Sequence, residues 1–500
     1  MPSDWPQRLA AIEPEVTALR GAVANAGRSQ FARWRPHIER RRFAVSAMNL
    51  AHYLELRQAD LRPLQRRLMA LGLSSLGRAE SHVLAALDAV LAAIHMAQGR
   101  VVPHPPPGER QFFRGERLLK QNADEVFGAA PRGRSGRIMV TLPASAADDP
   151  AMIRDLVKRG TDLVRINCAH DAPSAWARMI VNARAVSPRL RILMDIAGPK
   201  VRTGKVYAGE RDRVGVGDEI LLAESIDPSL GDVPFQCAVS LPNILARLKV
   251  GNSVLVDDGA VRGTIVGRKH GGLLVKVEAA ALKGVKLKPE KGLLFPGVDL
   301  GLSPLTDKDR RDLDFVALNA DLIGYSFVQS AAHITLLQDE LRQRRPDWRS
   351  VGLVAKIETS VAVANLPEII IAAAGRQPLA VMIARGDLAI ELGFERLAEM
   401  QEEILWLCEA AHVPAIWATE VLSGLVSSGL PSRGEMTDAA MAARAECVML
   451  NKGANIGAGV ETLDRLMRRM AGHQVKKTPT LRALTSWKLA DAPQKDSRLS

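Results

Sequence analysis

From residue 137 onward the chain repeats one pattern eight times, a short apolar run followed in most cases by a segment with helical periodicity such as residues 148–159. Short apolar runs of this kind are typical of buried strands, and their alternation with helices indicates a parallel sheet. Eight such units are the number that closes a TIM barrel. We therefore predict an α/β fold, a (β/α)8 TIM barrel, with strands at 137–142, 162–167, 191–196, 321–328, 352–358, 379–385, 414–419 and 446–451.

One long interval between the third and fourth strands has a different pattern. Residues 204–296 contain segments in which apolar and polar residues alternate between glycines. This pattern predicts a small antiparallel β domain, a β-barrel inserted in a loop of the TIM barrel, where it would serve as a lid. The predicted catalytic domain then comprises residues 131–203 and 297–475, and residues 476–500 form a polar tail.

The first 130 residues are predicted to form a separate helical region that ends in a linker. Apolar residues recur there at three- and four-residue spacing, as from Leu50 to Leu71, and prolines interrupt the pattern at 103–107. The region is also basic. Residues 1–140 hold 21 Lys and Arg against 12 Asp and Glu, which leaves the rest of the chain with only +3 of the net charge of +12.

Composition excludes several classes of protein. Aromatic residues are only 4% of the chain and none alternates with basic residues as a base-stacking surface requires, which argues against nucleic-acid binding. The four cysteines are too far apart for a thiolate metal cluster or a disulfide framework. The opening residues are acidic rather than signal-like, and no uninterrupted apolar stretch is long enough to span a membrane. We expect a soluble cytoplasmic protein.

The predicted strands end in polar residues, at the edge where a barrel of this type carries its active site. Lys356 and Glu358 are two residues apart on one strand and therefore share a face, and Asp387 follows the neighbouring strand. Two carboxylates without histidine or cysteine suit Mg²⁺ or Mn²⁺, and the lysine would stabilise negative charge on a phosphoryl group or an enolate. A salt bridge that closes the barrel end is the structural alternative for Lys356 and Glu358.

Two anion sites are also candidates. The segment Arg385–Asp387 reads as a tight turn in which Gly386 lets the backbone approach a carboxylate, or alternatively as a simple turn with a helix-capping aspartate. A second group of cations suits nucleotide phosphates, with a solvated charged rim as its alternative; it comprises Arg165, Arg202, Lys291 and His170.

At these residues the sequence resembles the pyruvate kinase family. The resemblance runs from about residue 137 to about residue 470 and keeps the order of the family's motifs. These are VRINCAHD, MDIAGPKVRTG, VDDGAV, EKGLLFPG, AKIET, MIARGDLAIE and WATEVLSGLVSSGLPSRGEMTDAA. The resemblance implies transfer of a phosphoryl group from phosphoenolpyruvate to ADP, giving pyruvate and ATP.

The resemblance also implies roles for individual residues. Lys356 would stabilise the phosphoryl group and the enolate, while Glu358 and Asp387 hold the divalent metal. Thr419 and the backbone of Gly386 would contact the substrate carboxylate. The transferring phosphate and ADP would be surrounded by Arg165, Asn167, His170 and Arg202, with Lys291 reaching in from the lid.

The chain departs from the family pattern in three ways. We expect no counterpart of the family's C-terminal effector domain. The usual serine-glycine-glutamate after the eighth strand is here Asn451–Gly453, which removes a hydroxyl near the final protonation step. Of the four positions that bind potassium in the family, Asn167 and Asp195 are kept, whereas Ala169 and Ile196 replace the two hydroxyl ligands. Lys200 stands where potassium-dependent members carry a glutamate. We therefore predict activity without K⁺.

Two other functions are compatible with parts of the sequence. A metal-dependent aldolase or lyase of the same barrel class also stabilises a pyruvate enolate, but it has no nucleotide phosphates to bind. A non-catalytic regulatory pseudokinase would explain the altered end of the eighth strand, although Lys356, Glu358 and Asp387 argue against it. The sequence leaves homo-oligomerisation open.

Overall fold

The eight apolar runs form one closed parallel barrel in a computed structural model, which describes residues 4–257, 259–298 and 300–479. The predicted (β/α)8 architecture is confirmed, and every barrel strand begins within one residue of its predicted start. The strands are β1 (Arg137–Thr141), β2 (Leu163–Asn167), β3 (Arg191–Ile196), β4 (Thr203–Ala208), β5 (Glu219–Ala223), β6 (Phe235–Val239), β7 (Ser253–Val256), β8 (Val261–Lys269), β9 (Gly272–Ala280), β10 (Leu293–Leu294), β11 (Leu322–Tyr325), β12 (Gly352–Ile357), β13 (Leu379–Ala384), β14 (Ala415–Ala418), β15 (Cys447–Leu450), β16 (Gln474–Val475) and β17 (Thr478–Pro479).

Helices precede the barrel and fill most of the connections between its strands. They are α1 (Trp5–Trp34), α2 (Ala44–Leu56), α3 (Arg62–Ala70), α4 (Val83–Ala97), α5 (Glu109–Phe112), α6 (Arg114–Phe127), α7 (Pro150–Arg159), α8 (Pro173–Val186), α9 (Asp307–Asn319), α10 (Ala331–Arg344), α11 (Ser360–Ala364), α12 (Leu366–Ala374), α13 (Arg385–Leu392), α14 (Phe394–Ala410), α15 (Ser423–Ser428), α16 (Arg433–Ala442) and α17 (Ile456–Met470).

The barrel order is β1-β15-β14-β13-β12-β11-β3-β2, so β3 and β11 are neighbours although the lid lies between them in sequence. The lid strands form one sheet in the order β10-β7-β8-β9-β5-β6-β4, which is antiparallel except for the pair β5 and β6. Its apolar core, around Phe235 and Leu273, is separate from that of the barrel. The predicted inserted β domain is therefore present, and it leaves the barrel ladder unbroken.

Helix α6 closes the interior of the barrel at the end where the strands begin. Ala123, Val126 and Phe127 belong to the same buried cluster as inward-facing strand residues such as Leu163 and Leu322, the first residues of β2 and β11. An inward-facing layer of this kind needs a cover, because its apolar surface would otherwise meet water. The predicted N-terminal helical region thus supplies the barrel floor.

The other N-terminal helices dock beside that floor. Trp34 Nε1 donates to Glu368 Oε1 at 2.8 Å, Asn49 Nδ2 donates to the Ala410 carbonyl at 2.8 Å, and the backbone N–H of Arg40 donates to the Gly375 carbonyl at 2.8 Å. Buried residues of α1, α2 and α4 share one continuous apolar core with the barrel helices. Residues 4–127 therefore fold against the barrel as part of the same core.

One helical segment of the described chain, Glu80–Ala97, has the length and mean hydropathy of a membrane span, at 1.3 over 18 residues. Core helices of soluble proteins pass the same test, and 56% of this segment is buried inside the structure. The predicted polar tail lies outside the described residues from 480 onward.

Candidate active site

The C-terminal ends of the barrel strands bring Lys356 and Glu358 into direct contact. Lys356 Nζ lies 3.0 Å from Glu358 Oε1 and 3.3 Å from Asp195 Oδ2, and it donates a hydrogen bond to Ser326 Oγ at 2.7 Å. The predicted shared face of Lys356 and Glu358 is therefore present. The salt bridge that sequence reasoning held as an alternative is present too, so this contact alone does not separate structure from catalysis.

Asp195 links this lysine to Arg165 on the adjacent strand. Arg165 Nε and Nη2 donate to Asp195 Oδ2 at 2.9 and 2.5 Å, and Nη1 donates to Thr141 Oγ1 at 3.1 Å. Asp195 is 1% exposed, and its Oδ1 has no hydrogen-bond partner within the described chain. Two fixed cations thus converge on one buried carboxylate at the centre of the barrel end.

The buried charges shift one another's pKa values. Burial raises the pKa of Glu358, and the nearby Asp387 carboxylate adds to the rise, although Lys356 and the Phe327 N–H oppose it. Burial would lower the pKa of Lys356, but Asp195 and Glu358 outweigh it and raise that pKa. Lys356 therefore stays charged, while Glu358 and Asp387 repel each other in a way that a shared cation would relieve.

Asp387 forms an ammonium contact of its own, because Lys200 Nζ lies 2.8 Å from its Oδ1. Lys200 lies in the loop between β3 and β4, where the chain passes from the barrel to the lid. Both side chains are partly exposed, at 23% and 22%. The lysine on the lid side and the carboxylate on the barrel side therefore meet at an accessible edge of the site.

The segment Arg385–Asp387 is the first turn of α13 rather than a free tight turn, because its backbone is already helical. Arg385 holds it in place: Nη2 donates to the Thr419 carbonyl at 2.6 Å, and the guanidinium forms a bidentate pair with Asp438. The first backbone N–H groups of a helix have no partner inside the helix, which suits an anion or another acceptor. One of them, on Gly386, donates to Thr419 Oγ1 at 2.7 Å.

Thr419 stands in a strained backbone conformation after β14. Its φ is +64° and that of Glu420 is +56°, in the left-handed region that β-branched residues rarely adopt. Such strain is kept where surrounding contacts hold it, and it clusters at functional sites. Here the Arg385 contact with the Thr419 carbonyl holds the turn and aims the hydroxyl at the start of α13.

The predicted nucleotide-phosphate residues lie around the rim. Asn167 Oδ1 accepts from the Ala169 N–H at 3.1 Å, Arg202 Nη1 donates to the Glu290 carbonyl at 2.9 Å, and Lys291 Nζ pairs with Asp257 at 2.8 Å. The pKa of His170 is lowered by burial and by the nearby positive charge of Lys452, with smaller effects from Arg202 and Arg165. His170, Arg202, Arg165 and Lys452 therefore share one positively charged neighbourhood.

Sequence reasoning missed three groups that complete the site. Ser326 bonds Lys356, the Phe327 N–H donates to Glu358 Oε2 at 2.6 Å, and Asp438 anchors Arg385. The predicted fourth barrel strand includes Ser326 and Phe327. In the structure this strand, β11, ends at Tyr325, and Phe327 has a φ of +55°. A serine inside the otherwise apolar run 322–328 was the available signal for Ser326.

The donor set fits a hard divalent cation. Glu358 and Asp387 offer carboxylate oxygens alone, their charges repel each other, and Asp387 is open to solvent at the site's edge. Among the described residues no group of three or more acidic, histidine or cysteine side chains forms a metal site. Two carboxylates with room for substrate oxygens are the arrangement that Mg²⁺ accepts.

Comparison with known sequences gives a consistent result. The model of the family described as pyruvate kinase, barrel domain, matches residues 133–459. Two pyruvate kinases of Agrobacterium vitis are 34% and 33% identical, over 72% and 68% of this chain and 74% and 69% of their own lengths. A pyruvate kinase of Mycobacterium tuberculosis is 30% identical over 67% of this chain and 70% of that protein.

Comparison with solved structures agrees at the level of the fold. The crystal structure of a pyruvate kinase from Cryptosporidium parvum superposes with a TM-score of 0.60, covering 69% of this chain and 72% of that one. The two sequences are 24% identical.

Proposed function

Because this chain belongs to the pyruvate kinase family, we propose that it transfers a phosphoryl group from phosphoenolpyruvate to ADP in a reaction that requires Mg²⁺ or Mn²⁺. The observation that carries the proposal is the group of Lys356, Glu358 and Asp387 at the ends of adjacent barrel units, with Lys356 held charged by two carboxylates. Phosphoryl transfer depends mainly on positioning and on charge stabilisation, and these residues supply both.

Glu358 and Asp387 would hold the metal. When bound, the divalent cation neutralises phosphate charge and polarises substrate oxygens. Lys356 is a fixed ammonium beside this site, and it donates to the oxygens of the group in transfer and to the enolate oxygen left behind. Ser326 and Asp195 orient the ammonium, so little reorganisation is needed when negative charge develops.

Thr419 and the start of α13 suit the carboxylate of phosphoenolpyruvate. Thr419 Oγ1 already accepts from the Gly386 N–H, which leaves its own O–H free to donate. The N-terminal turn of α13 adds backbone donors and a favourable dipole. Within the described chain, the Arg385 guanidinium donates its hydrogen bonds to Asp438 and to two backbone carbonyls. We therefore assign Arg385 to positioning this turn rather than to contacting substrate.

The rim cations suit ADP and ATP. His170, Arg202 and Arg165 share a positive neighbourhood that fits the nucleotide phosphates, with Asn167 beside them and Lys291 on the lid side. Lys452 belongs to the same neighbourhood, although the family pattern has glycine at that position. We propose that this added charge helps to hold phosphate.

We further propose that the activity does not require K⁺. Of the family's potassium ligands only Asn167 and Asp195 are kept, and Asp195 is already bonded to two cationic side chains. Lys200 supplies an ammonium that pairs with Asp387 at the edge of the site. A monovalent cation carried by the chain thus takes over the charge that a free ion would bring.

A coupled assay that follows pyruvate formation from phosphoenolpyruvate, ADP and Mg²⁺ tests the proposal. We expect turnover, its loss on chelation of divalent metal, and its loss in Glu358→Gln. Glu403→Gln, at an exposed position of α14, is the matched control.

Aldol cleavage of a 2-oxo acid without phosphoryl transfer would favour the lyase alternative. A folded, Mg²⁺-binding protein without turnover would favour the pseudokinase, to which the altered residues 451–453 point. We propose a cytoplasmic location for this enzyme.

A further inference from the structure

A cavity of about 390 Å³ opens between the N-terminal helices and the barrel floor. Its walls come from α2, α4, α5 and α6, together with Ser81 and His82 from the turn before α4 and His412 from the turn before β14. The volume falls in the range of small-molecule sites. The candidate active site lies at the opposite ends of the strands, so the cavity belongs to a separate part of the molecule.

Most of the cavity wall is apolar. Its apolar side chains come from α2, α4 and α6. These side chains are Ala44, Val45, Met48, Leu84, Ala85 and Leu118. The three histidines of the wall are uncharged at neutral pH, because burial lowers the pKa of His52, His82 and His412 to about 4. The main body of any ligand here would therefore meet an uncharged surface.

Hydrogen bonds fix one side of the cavity before any ligand binds. His412 Nδ1 lies 2.9 Å from Ser46 Oγ, and His412 Nε2 lies 2.9 Å from the Ser81 carbonyl. Gly115 packs so closely on this pair that a Cβ there would lie 1.9 Å from the Ser81 carbonyl oxygen. By contrast, the buried Nε2 of His52 has no hydrogen-bond partner within the described chain. The wall is thus preformed and keeps an unsatisfied polar atom.

Arg114 is the only charged residue among those that line the cavity. It is exposed at the start of α6, and within the described part of the chain no carboxylate lies within salt-bridge distance of it. It is close enough to His412 to lower the pKa of that imidazole. An apolar wall with one unpaired guanidinium complements an apolar molecule that carries one anionic group.

We propose that this cavity is a binding site for a small, mainly apolar carboxylate. The apolar body would lie against Met48, Leu84 and Leu118, and the carboxylate would pair with Arg114. The bound molecule would contact both the helical region and the turn that leads into β14, so it would stabilise the docking of one on the other. The inference does not depend on the proposed reaction.

Calorimetric titration of the full chain tests whether the ligand's negative charge pairs with Arg114. The two probes are 3-phenylpropanoate and, for comparison, the uncharged 3-phenylpropanamide. We expect a dissociation constant below about 1 mM for the carboxylate and at least tenfold weaker binding of the amide. Arg114→Gln should remove the difference between the two probes. Arg110→Gln, at an exposed arginine of α5 outside the cavity wall, should keep it.

A second variant tests the location. Ala85→Phe places a ring in the cavity and should abolish binding of both probes, while the thermal unfolding midpoint and the circular dichroism spectrum show that the variant is folded. The carboxylate should raise the unfolding midpoint of the unmodified protein and not that of Ala85→Phe. Absence of binding by the unmodified protein, equal affinity for both probes, or binding that survives Ala85→Phe would each overturn the proposal. A preference for the carboxylate that survives Arg114→Gln would overturn it as well.

Discussion

The ammonium of Lys200 lies 2.8 Å from Asp387 Oδ1, so a residue from the lid-side loop pairs directly with a proposed metal ligand. This contact supports our prediction about monovalent ions. Rates in potassium-free buffer, with a tetramethylammonium salt holding the ionic strength, should match those in potassium chloride. Lys200→Glu should lower the rate at least about tenfold with or without potassium, because it sets a carboxylate against Asp387.

The control for this experiment is Lys205→Glu, at an exposed lysine of β4 five residues further along the chain. It makes the same change of charge without touching Asp387 and should leave the rate nearly unchanged. A tenfold or larger drop of the unmodified enzyme in potassium-free buffer would contradict the prediction.

Lys356→Met should lower kcat about 10²- to 10³-fold, because it removes the fixed charge that faces the transferring group. The structure adds a second effect. Asp195 and Glu358 would be left buried without their lysine, so we also expect the unfolding midpoint to fall. Lys308→Met removes a lysine that pairs with Asp312 and serves as the control. Circular dichroism at the assay temperature separates the two effects, and a folded variant with kcat within threefold of the unmodified enzyme would refute the role.

Arg385→Lys should raise the KM for phosphoenolpyruvate more than it lowers kcat. Lysine keeps the charge but cannot reproduce the bidentate pair with Asp438 together with the bond to the Thr419 carbonyl. The strained Thr419 turn would then relax away from Gly386. Steady-state kinetics with phosphoenolpyruvate and ADP varied separately will show this, and an increase confined to the KM for ADP would rule out the positioning role.

Glu409 should make the protein less stable as the pH rises. Burial raises the pKa of Glu409 to about 7, with Lys476 opposing and Glu80 and Glu446 reinforcing the rise. A carboxyl whose folded pKa lies above its unfolded value stabilises the fold below the unfolded pKa, and that contribution is lost as the pH passes 7. The shift corresponds to about 3 kcal/mol at alkaline pH.

Denaturant unfolding of Glu409→Gln at pH 5 and pH 8 measures this contribution. The variant should be more stable than the unmodified protein at pH 8 and close to it at pH 5. Glu403→Gln, at an exposed position of the same helix, should show no such difference. Equal effects of Glu409→Gln at both pH values would mean that this carboxyl titrates normally.

Phe127→Ala should cost about 3–5 kcal/mol in the free energy of unfolding, because it empties part of the barrel floor. Phe127 is 2% exposed, whereas Phe394 is 79% exposed, so Phe394→Ala is the matched control and should change stability little. Chemical denaturation of both variants makes the comparison. A loss of less than about 1 kcal/mol for Phe127→Ala would show that α6 is not needed to close the barrel.

The barrel was predictable because its strands are buried on both faces and appear as apolar runs that no other element of this length produces. The pair Lys356 and Glu358 was predictable for a similar reason, since a spacing of two on a strand fixes a shared face. The partners that come from distant segments could not be read in this way. Lys200 with Asp387, and Arg385 with Asp438, meet only because the lid loop and α16 fold back over the barrel end.

The conformation of individual strand ends was equally hidden. Tyr325 ends β11, and the positive φ of Phe327 turns its N–H toward Glu358. No local pattern marks such a bend, because a phenylalanine in an apolar run normally continues the strand. Likewise, the apolar face of α6 predicts a helix, but its place inside the barrel floor follows from tertiary packing.

The floor formed by α6 also affects how a ribosome can build this protein and how a shorter version can be made. Phe127 is synthesised before any strand, and its partners extend to Met449 near the end of the last strand of the barrel. The helix therefore leaves the exit tunnel long before the surface it covers exists. A fragment that starts at β1 would carry an apolar hole at its base, so any shortened version has to keep α6. Removal of α1, α2 and α4 would in addition expose the core that these helices share with the barrel helices.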